Sequence, residues 1–125
     1  PTSMFYQGGP VHRDQLVVLH QLGDMIENSM EICEGIYAGG DLETLRTHAA
    51  MVNADKPVLR FFLGYAGWKT DQLENEIERD SWILSPGSAD LTFSTKPDRV
   101  WQRALYALGD KYRPISFLPE NLLLN

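Results

Sequence analysis

The residues with chemical potential in this chain are three histidines, one cysteine and a run of carboxylates. His12, His20 and His48 lie far apart, and no HExxH spacing places two of them on one helix face. His20 ends an apolar strand, so it is a candidate general base or a histidine that simply hydrogen-bonds the sheet end. Cys33-Glu34 lacks the surroundings of a nucleophile and reads as a buried structural thiol. The carboxylates between Asp71 and Asp80 could bind a cation or do acid–base work, but their spacing fits a solvated helix face better. No GxSxG elbow is present. These residues assemble no complete catalytic constellation, and no cofactor or metal is expected.

A second kind of site needs no reactive side chain. Leu63–Glu76 reads LGYAGWKTDQLENE, an apolar run that turns through two glycines into an acidic helix start. Helix N-termini point free N–H groups outward, so a strand–glycine corner–helix can hold an anion. The P-loop spacing fails, because Trp68 stands between Gly67 and Lys69, and GxGxxG is absent. Asp71, Glu74 and Glu76 would repel a phosphate. The favoured reading is a packing corner with Tyr65 and Trp68 in the core. The alternative is a groove for a peptide or small molecule, with His20, Gly64, Tyr65, Gly67, Trp68, Gln72 and Glu74 as candidate binding residues.

Composition narrows the partners. The 125 residues carry 17 acidic and 11 basic side chains, a formal net charge of −6. The Lys and Arg residues are scattered along the sequence, so direct nucleic-acid binding is disfavoured. A single cysteine excludes a disulfide framework and fits a reducing cytoplasm. No apolar run is long enough for a membrane helix. The chain opens on Pro1 rather than methionine, which points to a processed, truncated or engineered start.

The elements that must position these residues follow from periodicity. Gly8-Gly9-Pro10 is a turn. Gln15–His20 is apolar on both faces and reads as a central strand. Ser29–Cys33 and Gly35–Ala38 are shorter strands. Asp41 caps a helix whose inner stripe is Leu42, Leu45, Ala49 and Val52, ending near Asn53. Pro57–Tyr65 is the strongest strand. Thr70 caps a second helix with Leu73 and Ile77 inward and Glu74 and Glu78 outward. Ser81–Leu84 and Leu91–Phe93 read as short strands. Pro97 opens a third helix with Val100, Trp101, Ala104, Leu105 and Leu108 inward, stopped by Gly109. The tail after Asp110 ends in Leu122–Leu124. The reading is an α+β domain with a mostly antiparallel, barrel-like sheet and about three peripheral helices.

Four blocks resemble one family in its own order. They are Tyr6–Val11 with Leu16–His20, Glu34–Tyr37 with Gly40–Leu42, Leu63–Trp68 with Gln72–Glu76, and Ser81–Leu84 with Trp101 and Leu105. The family is the bacterial YqgE/AlgH proteins, an uncharacterised group often labelled transcriptional regulators. The resemblance covers about residues 5–109. It implies one α+β domain in a cytoplasmic bacterial protein, with residues 110–125 as a C-terminal extension. Lys69-Thr70-Asp71 departs from the family's glycine-rich loop after the tryptophan. Members carry a longer segment before the GGPV turn, so the resemblance implies either that this chain is a fragment or that the sheet lacks the family's N-terminal strands and has an open edge that invites association. No reaction is implied. The expectation is a non-enzymatic regulatory or protein-interaction module working through a protein partner or self-association. The alternative is a small-molecule-binding protein or weak hydrolase with a pocket at the GYAGW corner.

Overall fold

The computed structural model describes residues 5–49, 58–94 and 96–119. They fall into two compact units, divided between Leu84 and Ser85. The first holds five strands: β1 (Phe5–Gln7), β2 (Val11–His20), β3 (Ser29–Cys33), β4 (Ile36–Gly39) and β5 (Leu59–Tyr65). It also holds helices α1 (Leu42–Ala49) and α2 (Gln72–Glu78). The second holds helices α3 (Val100–Ala107) and α4 (Arg113–Ser116), preceded by a π-helical turn at Asp90–Ser94 and a 3-10 turn at Pro97–Arg99.

The sheet order is β1-β5-β2-β4-β3. Strand β5 is flanked by β1 in parallel and by β2 antiparallel, with Phe61 beside both Phe5 and Val18. The chain leaves β1 and returns as β2 on the other side of β5. Since β1 and β2 run in opposite directions, one of them must be parallel to β5. The sheet is thus mostly antiparallel, as expected, with one parallel pair, but it is open rather than barrel-like, since β1 and β3 stand at its two ends without pairing to each other. Among the described residues β1 pairs only with β5, and β3 only with β4, so both edges stay open.

The crossing from β1 to β2 is made by Gly8 and Gly9, and it runs over Gly64 near the end of β5. The Gly8 N–H donates to the Leu63 carbonyl at 2.8 Å. A Cβ on Gly8 would strike the Gly64 carbonyl oxygen, one on Gly9 the Tyr65 backbone, and one on Gly64 the Gly9 carbonyl oxygen. Gly64 also has φ +80, where a side chain is strained. Beyond the crossing, β2 slips against β5: Val11 faces Tyr65, but Leu16 faces Leu63. The extra residues form a bulge around His12, whose ring stacks on Tyr65 with centroids 5.7 Å apart.

The core of this unit gathers Val18 from β2, Ile26 from the connection, Leu45 from α1 and Leu59 from β5, with Leu22 and Phe61 packed against them. Each such side chain is worth about 1.5–3 kcal/mol when withdrawn from water. Asp41 caps α1 as expected, its Oδ2 accepting the Thr44 N–H at 3.1 Å. Leu42 is exposed rather than part of the inner stripe, and the side chains of Ala49 and Val52 and the helix end near Asn53 lie outside the described residues, as does Leu122–Leu124. Cys33 is half-buried rather than enclosed.

Three expected elements change identity. Residues Ser81–Leu84 are not a strand: among the described residues no strand pairs with them. Leu91–Phe93 lies in the π-helical turn, where Ser88 starts helical bonding: its Oγ accepts the Leu91 N–H and its carbonyl the Thr92 N–H. Thr70 does not cap α2. Asp71 takes the cap position at φ +66 without a side-chain cap bond. The helix in Arg113–Ser116 is an element that periodicity misses, being four residues long.

His20 closes β2 fully buried, opposite Leu59 and stacked on Tyr37 at 5.6 Å. Its Nδ1 accepts the Leu22 N–H at 3.1 Å, which fixes the ring proton on Nε2, and Nε2 makes no well-formed hydrogen bond. Burial pushes the imidazole below its ordinary value of 6.5, and the Gly39 backbone offsets part of that.

Two outcomes follow from this frame. Gly64 and Gly35 share a φ near +80, but nothing lies within 4 Å of a Cβ on Gly35. Gly35→Ala should cost roughly 1–3 kcal/mol of backbone strain, and Gly64→Ala distinctly more, measured by urea denaturation; equal losses would mean that the crossing is not tight. At His20 the folded chain binds fewer protons than the unfolded chain below pH 6.5. Its stabilising share is therefore present above that pH and lost as pH falls. The urea midpoint should drop between neutral and mildly acid pH, and His20→Gln should shrink that drop.

Candidate functional site

The corner after β5 places its residues through backbone chemistry. Only one of its two glycines is obligatory. Gly64 is required by the crossing, whereas a Cβ on Gly67 would meet only the Tyr65 ring at ordinary contact distance. After Trp68 the chain enters α2 with the Gln72 side chain folded back, its Oε1 accepting the Lys69 N–H at 3.0 Å. The far end of α2 is closed by Asp80 at φ +58: the Asp80 N–H reaches the Ile77 carbonyl and the Ser81 N–H the Glu76 carbonyl. This left-handed cap reverses the chain and brings Trp82 back along the helix.

Glu76 is where these pieces meet. Its Oε2 accepts the Trp82 indole N–H at 2.7 Å and the Trp68 indole N–H at 3.1 Å. Its Oε1 accepts from Gln72 Nε2 at 3.0 Å. Gln72 and Glu76 are four residues apart and share one helix face. The two indoles meet edge to face, centroids 5.8 Å apart at 68°. These bonds hold the Glu76 carboxyl below its ordinary value, with Trp82 the largest influence, then Trp68 and Gln72.

The tryptophans are anchored by their polar edges and keep their faces in water. Trp68 is 39% exposed and Trp82 48%, and Ile83 and Leu84 beside them are exposed too. Trp68 therefore does not fill the core as expected. Tyr65 is half-buried against His12. Glu74 is exposed and makes no side-chain bond among the described residues. His20 pairs with Leu59, six residues from Tyr65 along β5, so it lies roughly 20 Å away at the other end of the strand. The structure thus gathers Gly64, Tyr65, Gly67, Trp68 and Gln72 and leaves His20 apart. Glu76 and Trp82 complete the site. The Gln72–Glu76 spacing was the available signal for the first, but the return of Trp82 depends on a cap that no sequence pattern announces.

Two open cavities among the described residues lie elsewhere. One, of about 340 Å³, is lined by Leu16, Val18, Leu42, Leu45 and Phe61 among others. The other, of about 420 Å³, follows α3. Among the described residues, no three of His, Cys, Asp and Glu group as metal ligands, and no helix is long and apolar enough to cross a membrane.

Replacing Trp82 with Phe removes the shortest bond to Glu76 while keeping an aromatic ring. The Glu76 carboxyl should then titrate closer to its ordinary value of 4.5, followed by side-chain carboxyl NMR. An unchanged titration would show that the indole does not donate in solution.

The comparisons agree with the resemblance. A family model described as AlgH-like matches residues 1–113. A UPF0301 protein of Chlamydia caviae is 42% identical over 121 residues, covering 97% of this chain and 63% of that protein. One from Pelodictyon phaeoclathratiforme is 40% identical over 118 residues, covering 92% and 62%. The chain thus spans less than two thirds of the length of these curated relatives. The solution structure of the AlgH protein from Pseudomonas aeruginosa superposes with a TM-score of 0.68 at 29% identity, covering 92% of this chain and 59% of that one. With a family model matched over most of its length and relatives 40% and 42% identical over nearly all of it, the chain belongs to the AlgH-like family.

Proposed function

We propose that this chain is a protein-interaction module whose contact surface is the tryptophan pair over Glu76. The observation that carries the reading is the clamp itself. Two large aromatic faces are held rigid by one carboxylate and left in water, next to exposed Ile83 and Leu84. Indoles fixed in advance lose little entropy on binding, and tryptophan is among the residues that dominate interface energetics. A contiguous apolar patch rimmed by polar groups is a common mark of a protein contact.

Charge selects the partner. Asp71, Glu74, Glu78 and Asp80, all exposed, lie on or next to α2 and outnumber Lys69 and Arg79 in the same stretch. The fitting occupant is a protein segment that presents an apolar or aromatic residue flanked by Lys or Arg. The guanidinium of such a segment could lie over an indole face. A role in transcriptional regulation, the label that the resemblance carries, would on this reading run through a protein rather than through DNA.

Selection of displayed random peptides on the immobilised chain is the direct test. Enriched sequences should pair apolar residues with basic ones, and their binding should fall at least about tenfold on Trp68→Ala/Trp82→Ala. Enrichment of acidic sequences, or equal binding to the double variant, would sink the proposal.

A further inference from the structure

The unit after Leu84 reverses the charge of the whole. It carries five basic residues, Lys96, Arg99, Arg103, Lys111 and Arg113, against four acidic ones, Asp90, Asp98, Asp110 and Glu120, in a chain of net charge −6. Scattered in sequence, two of these cations are brought into register by α3 and the 3-10 turn before it. Arg99, Gln102, Arg103 and Tyr106 fall at i, i+3, i+4 and i+7, one face of a helix. With Ala107, Ser116 and Phe117 they line the cavity of about 420 Å³, a size that suits a small ligand.

The far wall of this groove is built to stay in place. Phe117 meets Tyr106 edge to face, centroids 6.2 Å apart at 82°. The Arg113 guanidinium lies 4.5 Å from the Tyr106 ring centre and its Nε donates to the Tyr106 carbonyl at 3.2 Å. Ser116, buried, donates to the Arg113 carbonyl at 2.6 Å. Arg113 is thus committed to structure. Arg103 pairs with Asp90 at 3.4 Å, an exposed contact of small worth. Arg99 has no ion pair or side-chain hydrogen bond among the described residues. The two rings that form the floor, Tyr106 and Phe117, are 47% and 69% exposed.

We infer that this groove binds a small oxyanion with an apolar body, its carboxylate or phosphate on Arg99 and its hydrocarbon against Tyr106 and Phe117. A guanidinium forks onto either headgroup in the same way, and the aromatic floor takes the rest. The site is independent of the tryptophan surface and lies wholly within the second unit.

The test uses the whole chain, 15N-labelled, and three probes: 4-phenylbutyrate, phenyl phosphate and the neutral 4-phenylbutyramide. Both anions, or one of them, should give saturable shifts confined to residues 99–117, and shifts with only one would identify the headgroup. The amide should bind at least about fivefold more weakly than 4-phenylbutyrate. Arg99→Gln should weaken the anion by about the same factor and leave the amide unchanged, while an otherwise native spectrum shows that the variant folds. Equal binding of acid and amide, shifts elsewhere, an unaltered anion affinity in Arg99→Gln, or no saturation with either anion would each overturn the inference.

Discussion

Backbone passing over backbone at Gly8, Gly9 and Gly64 is the constraint on which the first unit depends. Strand β5 can be flanked on both sides only if the chain crosses its end, and the crossing has no room for a Cβ on any of the three. From it follow the parallel pairing of β1, the bulge that brings His12 to Tyr65, and the direction in which the chain leaves for α2. The site inherits its position from that direction.

Among the described residues of this unit, two perturbed ionisable groups show how the same strand serves two chemistries. At one end of β5, His20 is withdrawn from water and driven toward its neutral form by desolvation. Toward the other, Glu76 stays near water and is held charged by three hydrogen bonds. The first arrangement stabilises a core. The second orients side chains at a surface, which is why the exposed end, and not the buried histidine, reads as the contact site.

Much of the frame was legible in the sequence because it rests on local rules. The β-branched run Leu16–His20, the apolar run before Tyr65, the Asp41 cap and the Pro97–Gly109 helix all obey periodicity and capping chemistry. What periodicity could not supply was pairing. A segment such as Ser81–Leu84 looks like a strand, but it turns back toward α2 after Asp80 and pairs with no strand among the described residues. Leu91–Phe93 looks extended until Ser88 captures its N–H groups. The clamp was half legible: Trp68, Gln72 and Glu76 were within one motif, but Trp82 joins them through a reversal at Asp80, a residue type that adopts positive φ only occasionally. The open sheet likewise depends on a parallel contact between segments far apart in the chain.

That parallel contact has a bearing on motion. Strand β1 has three residues, one neighbouring strand and an exposed Phe5. Docking it orders three residues in return for few bonds to a single neighbour. Such segments open at a small fraction of the global unfolding free energy. When β1 lifts, the Gly8–Leu63 bond goes with it, and Gly64 loses the lid that fixes its conformation. The crossing that aims the chain toward the tryptophan surface is thus held in part by a short edge strand, and any partner that steadies β1 would steady that crossing without touching the surface.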